Sequence, residues 1–260
     1  MNKDKYIDNG LAYKEGQIIN SLRLNGPEQM ACDEMMLESI NQSKDISMSL
    51  RFYKWEGVWL SLGYHQKKIP SKWIDLAKEK KINLVRRPSG GSAVLHSGGL
   101  TYSMAWKSPP RKKRQSYFEA SQWLIKSFSA MDCPLRFGSS ESITPNGNCF
   151  SSSSIADLID AHGNKRIGSA QYWRKGNLLQ HGEILLDPPS GLWRDLFNSP
   201  PPEPAPKNIP RTGLIEFLTK QFIAYWPRLN WIPTELREDE LTHILKNSNN
   251  YFVNSSNSCL

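Results

Sequence analysis

Cysteine is scarce in this chain: four in 260 residues, at positions 32, 133, 149 and 259, with no Cys-x-x-Cys pair. That spacing excludes a disulfide framework, and without a cysteine/histidine cluster it gives no support for a structural zinc. The five histidines never fall one helical turn apart, so no helical metal site is expected either. No apolar run approaches the ~20 residues that span a bilayer, and no membrane association is expected. The opening stretch, Met1 to Gly16, is polar and of mixed charge, unlike a secretory signal, which makes the cytoplasm the expected compartment. Also missing are a solenoid-length repeat, a Walker loop, a dinucleotide fingerprint, zinc-finger spacing and an RRM signature.

What is present is an ordinary globular composition, 38% apolar and 22% charged. Its length allows one α/β domain, or one domain with a small appendage. The 33 basic residues outnumber the 25 acidic ones, giving a net charge of +8. An excess of that sign points to an anionic partner, of which nucleic acid is only one kind. The sharpest run is Arg111-Lys112-Lys113-Arg114, after Pro109-Pro110. By itself such a run is a solvated loop.

Hydrophobic period and turn residues divide the chain. Gln17 to Leu24 is expected as a strand, and Glu28 to Ile40, behind Pro27, as a helix carrying Cys32 in its core face. Ser49 to Lys54 and Val58 to Leu62 are two strands around Trp55-Glu56-Gly57, an expected hairpin. Pro70 to Lys80 and Gln115 to Met131 carry helical stripes. Ile155 to Ala161, Arg166 to Trp173 and Leu178 to Leu186 form an expected antiparallel meander. Pro188 to Pro210 is dense in proline and is expected to be an extended connector. Leu214 to Trp226 and Pro233 to Lys246 are expected helices, and Asn247 to Leu260 a frayed end.

The stretch that organises the rest is Arg86 to Ser103, Arg-Arg-Pro-Ser-Gly-Gly-Ser-Ala-Val-Leu-His-Ser-Gly-Gly-Leu-Thr-Tyr-Ser. Read residue by residue, it is a set of strands with glycine turns, the second a hairpin at Gly98-Gly99, and two arginines whose forked donors suit a carboxylate or phosphate. The whole string resembles the signature loop of the biotin and lipoate protein ligase superfamily, where it borders the acyl pocket. Lys165-Arg166-Ile167-Gly168-Ser169-Ala170 followed by Gln180-His181-Gly182 resembles that superfamily's lysine motif and its next strand. On spacing alone Lys165 is an ordinary lysine entering a hairpin. Cys149, within Asn146-Gly147-Asn148-Cys149-Phe150, is on its own a small core residue. In the ligase-like octanoyltransferases, which belong to the lipoate-protein ligase A family, a Cys-Phe pair precedes the lysine motif by about this interval.

The resemblance covers roughly residues 15 to 190 and implies an α/β (α+β) fold. Its sheet is mixed, antiparallel-rich and flanked by helices, as in class II synthetase-like catalytic domains. It also implies a catalytic domain over 15–190, a proline-rich connector over 191–210 and a short helical extension over 211–260. The implied activity moves an octanoyl or lipoyl group from acyl carrier protein, through a Cys149 thioester, to a lysine of a lipoyl domain or the glycine cleavage H protein. Lys165 would assist Cys149. Arg86, Arg87, Gly90, Gly91, Ser92, Ala93, His96, Gly168, Ser169, Ala170 and His181 would hold substrate. No cofactor, metal or nucleic acid is called for. The basic run would steer an acidic carrier. An ATP-dependent lipoate ligase is the alternative, using ATP and Mg²⁺; Cys149 and the short stretch after residue 210 speak against it. A non-catalytic basic adaptor is a third reading. Departures from the octanoyltransferase pattern are Ser92, Gly98-Gly99 and the serines at 151 to 154.

Overall fold

The structure, a computed structural model, describes residues 14–138 and 156–253. Strand β1 (Glu15–Ile19) leads into helix α1 (Gly26–Gln42). Asn25 and Glu28 cap that helix reciprocally: the Asn25 side chain accepts from the Glu28 N–H at 3.1 Å, and the Glu28 carboxylate accepts from the Asn25 N–H at 2.9 Å. Next come β2 (Ile46–Tyr53), β3 (Trp59–Leu62), α2 (Ser71–Lys78), β4 (Asn83–Arg86), β5 (Val94–His96), β6 (Gly99–Trp106) and α3 (Lys113–Ser129). They are followed by β7 (Arg136–Phe137), β8 (Asp157–Ile159), β9 (Lys165–Arg174), β10 (Asn177–Leu185) and α4 (Ser190–Phe197). The last elements are α5 (Leu214–Tyr225), β11 (Asn230–Thr234) and α6 (Glu238–Ser248).

Eight strands form one mixed sheet in the order β11-β1-β2-β6-β10-β9-β8-β7. Only β11, β1 and β2 run parallel, and the other pairings are antiparallel. A second sheet, β4-β3-β5, stands apart. Side chains alternate across the large sheet. Leu50, Phe52, Tyr102, Met104 and Ile184 pack one face against Trp123, Leu124 and Phe128 of α3 and Leu218 and Phe222 of α5. Trp123 is fully buried between the rings of Tyr102, Phe52 and Phe222. The opposite face presents the alternate residues, Arg51, Tyr53, Thr101, His181 and Glu183, all buried. A sheet apolar on one face and polar on the other is common; here the polar face is buried as well. Burying that many polar groups costs free energy unless each finds a partner.

The expected meander β8-β9-β10 is present, as are the helices α1, α2, α3 and α5. Five expectations need correction. β2 and β3 are not a hairpin, because β2 pairs with β1 and β6 while β3 pairs with β4 and β5. Gly57, at φ +83°, turns the chain from one sheet to the other. The same is true at Gly98-Gly99: β5 belongs to the small sheet and β6 to the large one. A Cβ on Gly98 would lie 1.9 Å from the Asp187 carbonyl oxygen, so that glycine marks a close backbone crossing.

The proline-dense stretch contains α4, whose Trp193, Leu196 and Phe197 are buried. The neighbouring prolines masked that short apolar stripe. Finally, Asn230–Thr234 is a strand, so the expected helix from Pro233 begins only at Glu238. Pro233 is tolerated there because β11 is an edge strand, where a missing N–H breaks no ladder. Beyond α6, Asn249–Tyr251 forms a 3-10 turn and Phe252 bridges to Val85, so the frayed end does not start at Asn247. Among the described residues no helix is long and apolar enough to cross a membrane.

Candidate active site

β4 delivers both arginines to the glycine loop, where each grips backbone. Arg87 NH1 donates to the Ser61 carbonyl at 2.8 Å and its hydroxyl at 3.0 Å; NH2 donates to the carbonyls of Gly90 at 3.0 Å and Ser92 at 2.6 Å. Arg86 NH1 donates to the carbonyls of Gly63 at 2.9 Å and Gln66 at 2.8 Å. Arg87 thus clasps the glycine loop, while Arg86 ties down the Gly63–Gln66 turn that follows β3. Gly91 sits at φ +96°, and a Cβ on Gly63 would lie 1.9 Å from the Gly91 carbonyl oxygen. Gly90 has open space where its Cβ would be, so Gly63 and Gly91 are the glycines the geometry demands.

On the buried polar face, two histidines each join a serine to a carboxylate. Ser89 Oγ lies 2.5 Å from His181 Nε2, and His181 Nδ1 lies 2.8 Å from Asp33 Oδ2. Asp33 also accepts from Arg51 Nε at 3.0 Å and from the Tyr53 hydroxyl at 3.1 Å. Burial alone would push the Asp33 carboxyl up, but Arg51 and His181 together outweigh it and hold it below the usual carboxylate range. In the second chain Ser61 Oγ lies 2.8 Å from His96 Nε2, and His96 Nδ1 lies 2.8 Å from Glu183 Oε2.

Proton counting fixes the His96 tautomer. Arg87 NH1 donates to Ser61 Oγ, whose own hydrogen then goes to His96 Nε2, leaving Nδ1–H for Glu183. The Thr101 hydroxyl donates to the same Glu183 oxygen, and the Trp55 indole N–H donates to Thr101 at 2.7 Å. Trp55 stacks on His96 with ring centroids 4.0 Å apart. Ser89 resembles the nucleophile of a serine hydrolase in this arrangement, but it is only 1% exposed. Its hydroxyl ties the glycine loop to the sheet.

Lys165 reaches the same face through a register shift. In the β8–β9 ladder Leu158 pairs with Ile167, yet the next residue, Ile159, pairs with Lys165. One extra β9 residue is inserted there, and such a bulge re-aims the side chains that follow it. The Lys165 ammonium then meets Asp157 Oδ1 at 2.8 Å, with side chains 3% and 7% exposed. Asp157 pairs across the ladder with Gly168, which lines a cavity of about 50 Å³. That cavity has room for a few water-sized groups. Its walls include Met30, Tyr53, Trp55, Gly91, Val94 and Ala170, with His96, His181 and Glu183 supplying polar atoms. Among the described residues no three or more His, Cys, Asp or Glu gather as a metal site.

Residues 25–211 match the description "Lipoyl protein ligase A/B catalytic domain". The chain belongs to that family. It is 38% identical over 178 residues to the octanoyltransferase LipM of Oceanobacillus iheyensis, covering 66% of this chain and 64% of that protein, slightly under two thirds of its length. With the octanoyltransferase LipM of Bacillus anthracis the identity is 31% over 255 residues, 87% of this chain and 91% of that one. The fold is similar to a T. acidophilum protein solved with bound lipoic acid, at a TM-score of 0.73, 20% identity, and 91% and 95% coverage of the two chains.

In this member of the ligase A/B family the cavity brings together seven of the expected residues: Arg87, Gly91, His96, Gly168, Ser169, Ala170 and His181. Arg86 and Gly90 line a neighbouring groove with Tyr64 and Tyr251. Ser92 contributes its carbonyl to Arg87, and Ala93 is buried in the core around the small sheet. Lys165 stands beside the cavity lining, held by Asp157. Cys149 lies outside the described residues. Cys32 and Cys133 are buried, as expected of a core residue for Cys32; burial pushes the Cys32 thiol up to about 11 and raises Cys133 as well. Sequence reasoning missed Asp33, Trp55, Ser61, Ser89, Thr101, Asp157 and Glu183. For Glu183 a signal was available: it stands two residues after His181, on the same face of a strand whose Leu178, Leu179, Ile184 and Leu185 are core.

The His96 chain also makes a pH prediction. Burial lowers the His96 pKa, outweighing the opposing pull of Glu183, so the folded state favours neutral imidazole. As the pH drops below the unfolded value of about 6.5, the unfolded chain takes up a proton that folded His96 resists, and stability falls. His96→Gln is therefore expected to flatten the fall in urea midpoint between roughly pH 6.5 and 5. An equal slope in both proteins would show that His96 does not carry it.

Proposed function

We propose that this chain is an octanoyltransferase of protein lipoylation, moving an octanoyl (or lipoyl) group from acyl carrier protein to a lysine of a lipoyl domain or of the H protein. One conjunction carries the reading. A largely apolar-walled cavity, bordered by the glycine loop and the lysine motif, occurs in a chain aligned over 87% of its length with an octanoyltransferase. Cys149 is the nucleophile in this reading. Its thiolate attacks the donor thioester carbonyl, the bond to the carrier sulfur breaks, and the carrier leaves as a thiol. The acceptor lysine amine then attacks the Cys149 thioester; an amide forms, and the amine proton passes to the departing Cys149 sulfur.

Cys149 lies eight residues before Asp157, so the chain between them spans at most about 27 Å. Lys165 stabilises the oxyanion of each tetrahedral intermediate, or the thiolate that precedes it. Its charge is partly offset by the carboxylate 2.8 Å away, which makes it a directed hydrogen-bond donor more than a long-range field. The exposed run Arg111 to Arg114 would steer an acidic carrier protein.

Octanoylation of a purified lipoyl domain, with octanoyl carrier protein and separately with octanoate, ATP and Mg²⁺, tests the proposal. Transfer from the carrier without ATP is expected. Lys165→Ala should reduce it about 10²–10³-fold if the ammonium acts like one oxyanion donor. Activity confined to the ATP-dependent arm would replace this reading with the ligase one.

A further inference from the structure

We propose that Asp157 is a positioning residue of the transfer, holding the Lys165 ammonium over Gly168 on the cavity face of the sheet. The inference rests on the octanoyl-transfer reading and adds a residue to it. Three features lead there. The register shift between Leu158 and Ile159 inserts one residue into β9 just after Lys165. Bulges of this kind recur where a side chain must be re-aimed at a site. Here the consequence is that Lys165 and Asp157 meet at 2.8 Å.

Asp157 and Lys165 are also nearly sealed from solvent, at 7% and 3% side-chain exposure. A buried ion pair is seldom a net gain over apolar residues of the same volume. One placed beside a cavity therefore calls for a use. The neighbouring pair has a use in the turn. Asp160 accepts from Arg166 Nε at 2.7 Å and also from the backbone N–H groups of His162 and Asn164, so it closes the β8–β9 turn.

The last feature is the position across the ladder. The partner of Asp157 is Gly168, which lines the cavity and has no side chain to stand between the ion pair and a ligand. Asp157 also begins β8, eight residues after Cys149. The carboxylate that grips Lys165 is thus part of the strand into which the cysteine-bearing segment runs.

A double-mutant cycle on the full chain tests this, using single-turnover transfer from octanoyl carrier protein. Asp157→Asn keeps the shape but removes the charge, and is expected to slow acylation about 10²-fold with little change in KM. Asp157→Glu should restore most of that loss. If Asp157 acts through Lys165, then Asp157→Asn combined with Lys165→Ala will be no slower than Lys165→Ala alone. Urea midpoints of each variant separate unfolding from slowed chemistry. Losses that multiply in the double variant, or an Asp157→Asn enzyme with unchanged acylation, overturn the inference and leave the transferase standing. An unsubstituted chain inert toward octanoyl carrier protein overturns the transferase reading and this inference with it.

Discussion

Cys149→Ala will abolish octanoyl transfer from carrier protein to lipoyl domain, to the background of the assay. The expectation follows from where the described thiols are; Cys259, like Cys149, lies outside the described residues. Cys32 is fully buried in α1 with its thiol pushed up to about 11, and Cys133 is buried behind α3 with its thiol also raised by burial. The thiolate is the reactive form, so neither can take over. Cys149→Ser should retain at most slow turnover, because an alkoxide is harder to generate and a poorer leaving group than a thiolate. An adenylating ligase would behave in the opposite way. It would tolerate Cys149→Ala and lose ATP-dependent transfer on Lys165→Ala. The paired substitutions, read with both donors, therefore separate the two chemistries without depending on any single rate.

Asp33→Ala is expected to cost about 3–5 kcal/mol of folding stability, the usual consequence of removing one partner of a buried ion pair. Asp33 is fully buried and holds Arg51, Tyr53 and His181 together, and His181 in turn holds Ser89 of the glycine loop. Its loss leaves the buried Arg51 guanidinium without a carboxylate, held by the Gln29 carbonyl and the Tyr53 ring. Urea unfolding at constant m-value measures the change in midpoint. The sign with pH is also set. The Asp33 carboxyl is held below its ordinary value, so its stabilisation is present above about pH 4 and is lost as the pH falls through the depressed folded value. The unsubstituted chain should lose this stability in acid and the alanine variant should not. A midpoint within experimental error of the parent at pH 7 would show that the buried network is not under load.

The family and the sheet class were legible because they rest on long strings, Arg86 to Ser103 and Lys165 to Ala170, and on strongly periodic helices. What escaped the sequence was pairing between distant strands. Gly57 and Gly98 look like hairpin turns, since a glycine with positive φ serves equally well to fold a strand back or to send it to another sheet. Only the partners of β3 and β5 decide which. The site was half visible for a similar reason. His96 and His181 stood inside recognisable strings, but Asp33 and Glu183, which orient them, lie 148 and 87 residues away from their histidines. No local pattern carries that separation. The backbone contacts of the arginines were equally out of sight: Arg87 holds the glycine turn by the carbonyls of Gly90 and Ser92, and Arg86 holds the neighbouring Gly63–Gln66 turn.

Intact-mass analysis of the purified chain after incubation with octanoyl carrier protein, without ATP and without an acceptor, tests the central claim most directly. The predicted result is one octanoyl adduct per chain, released by neutral hydroxylamine as a thioester should be, mapped to the peptide carrying Cys149 and missing from Cys149→Ala. An unshifted mass under conditions in which the lipoyl domain still becomes octanoylated, or an adduct that survives in Cys149→Ala, would contradict it.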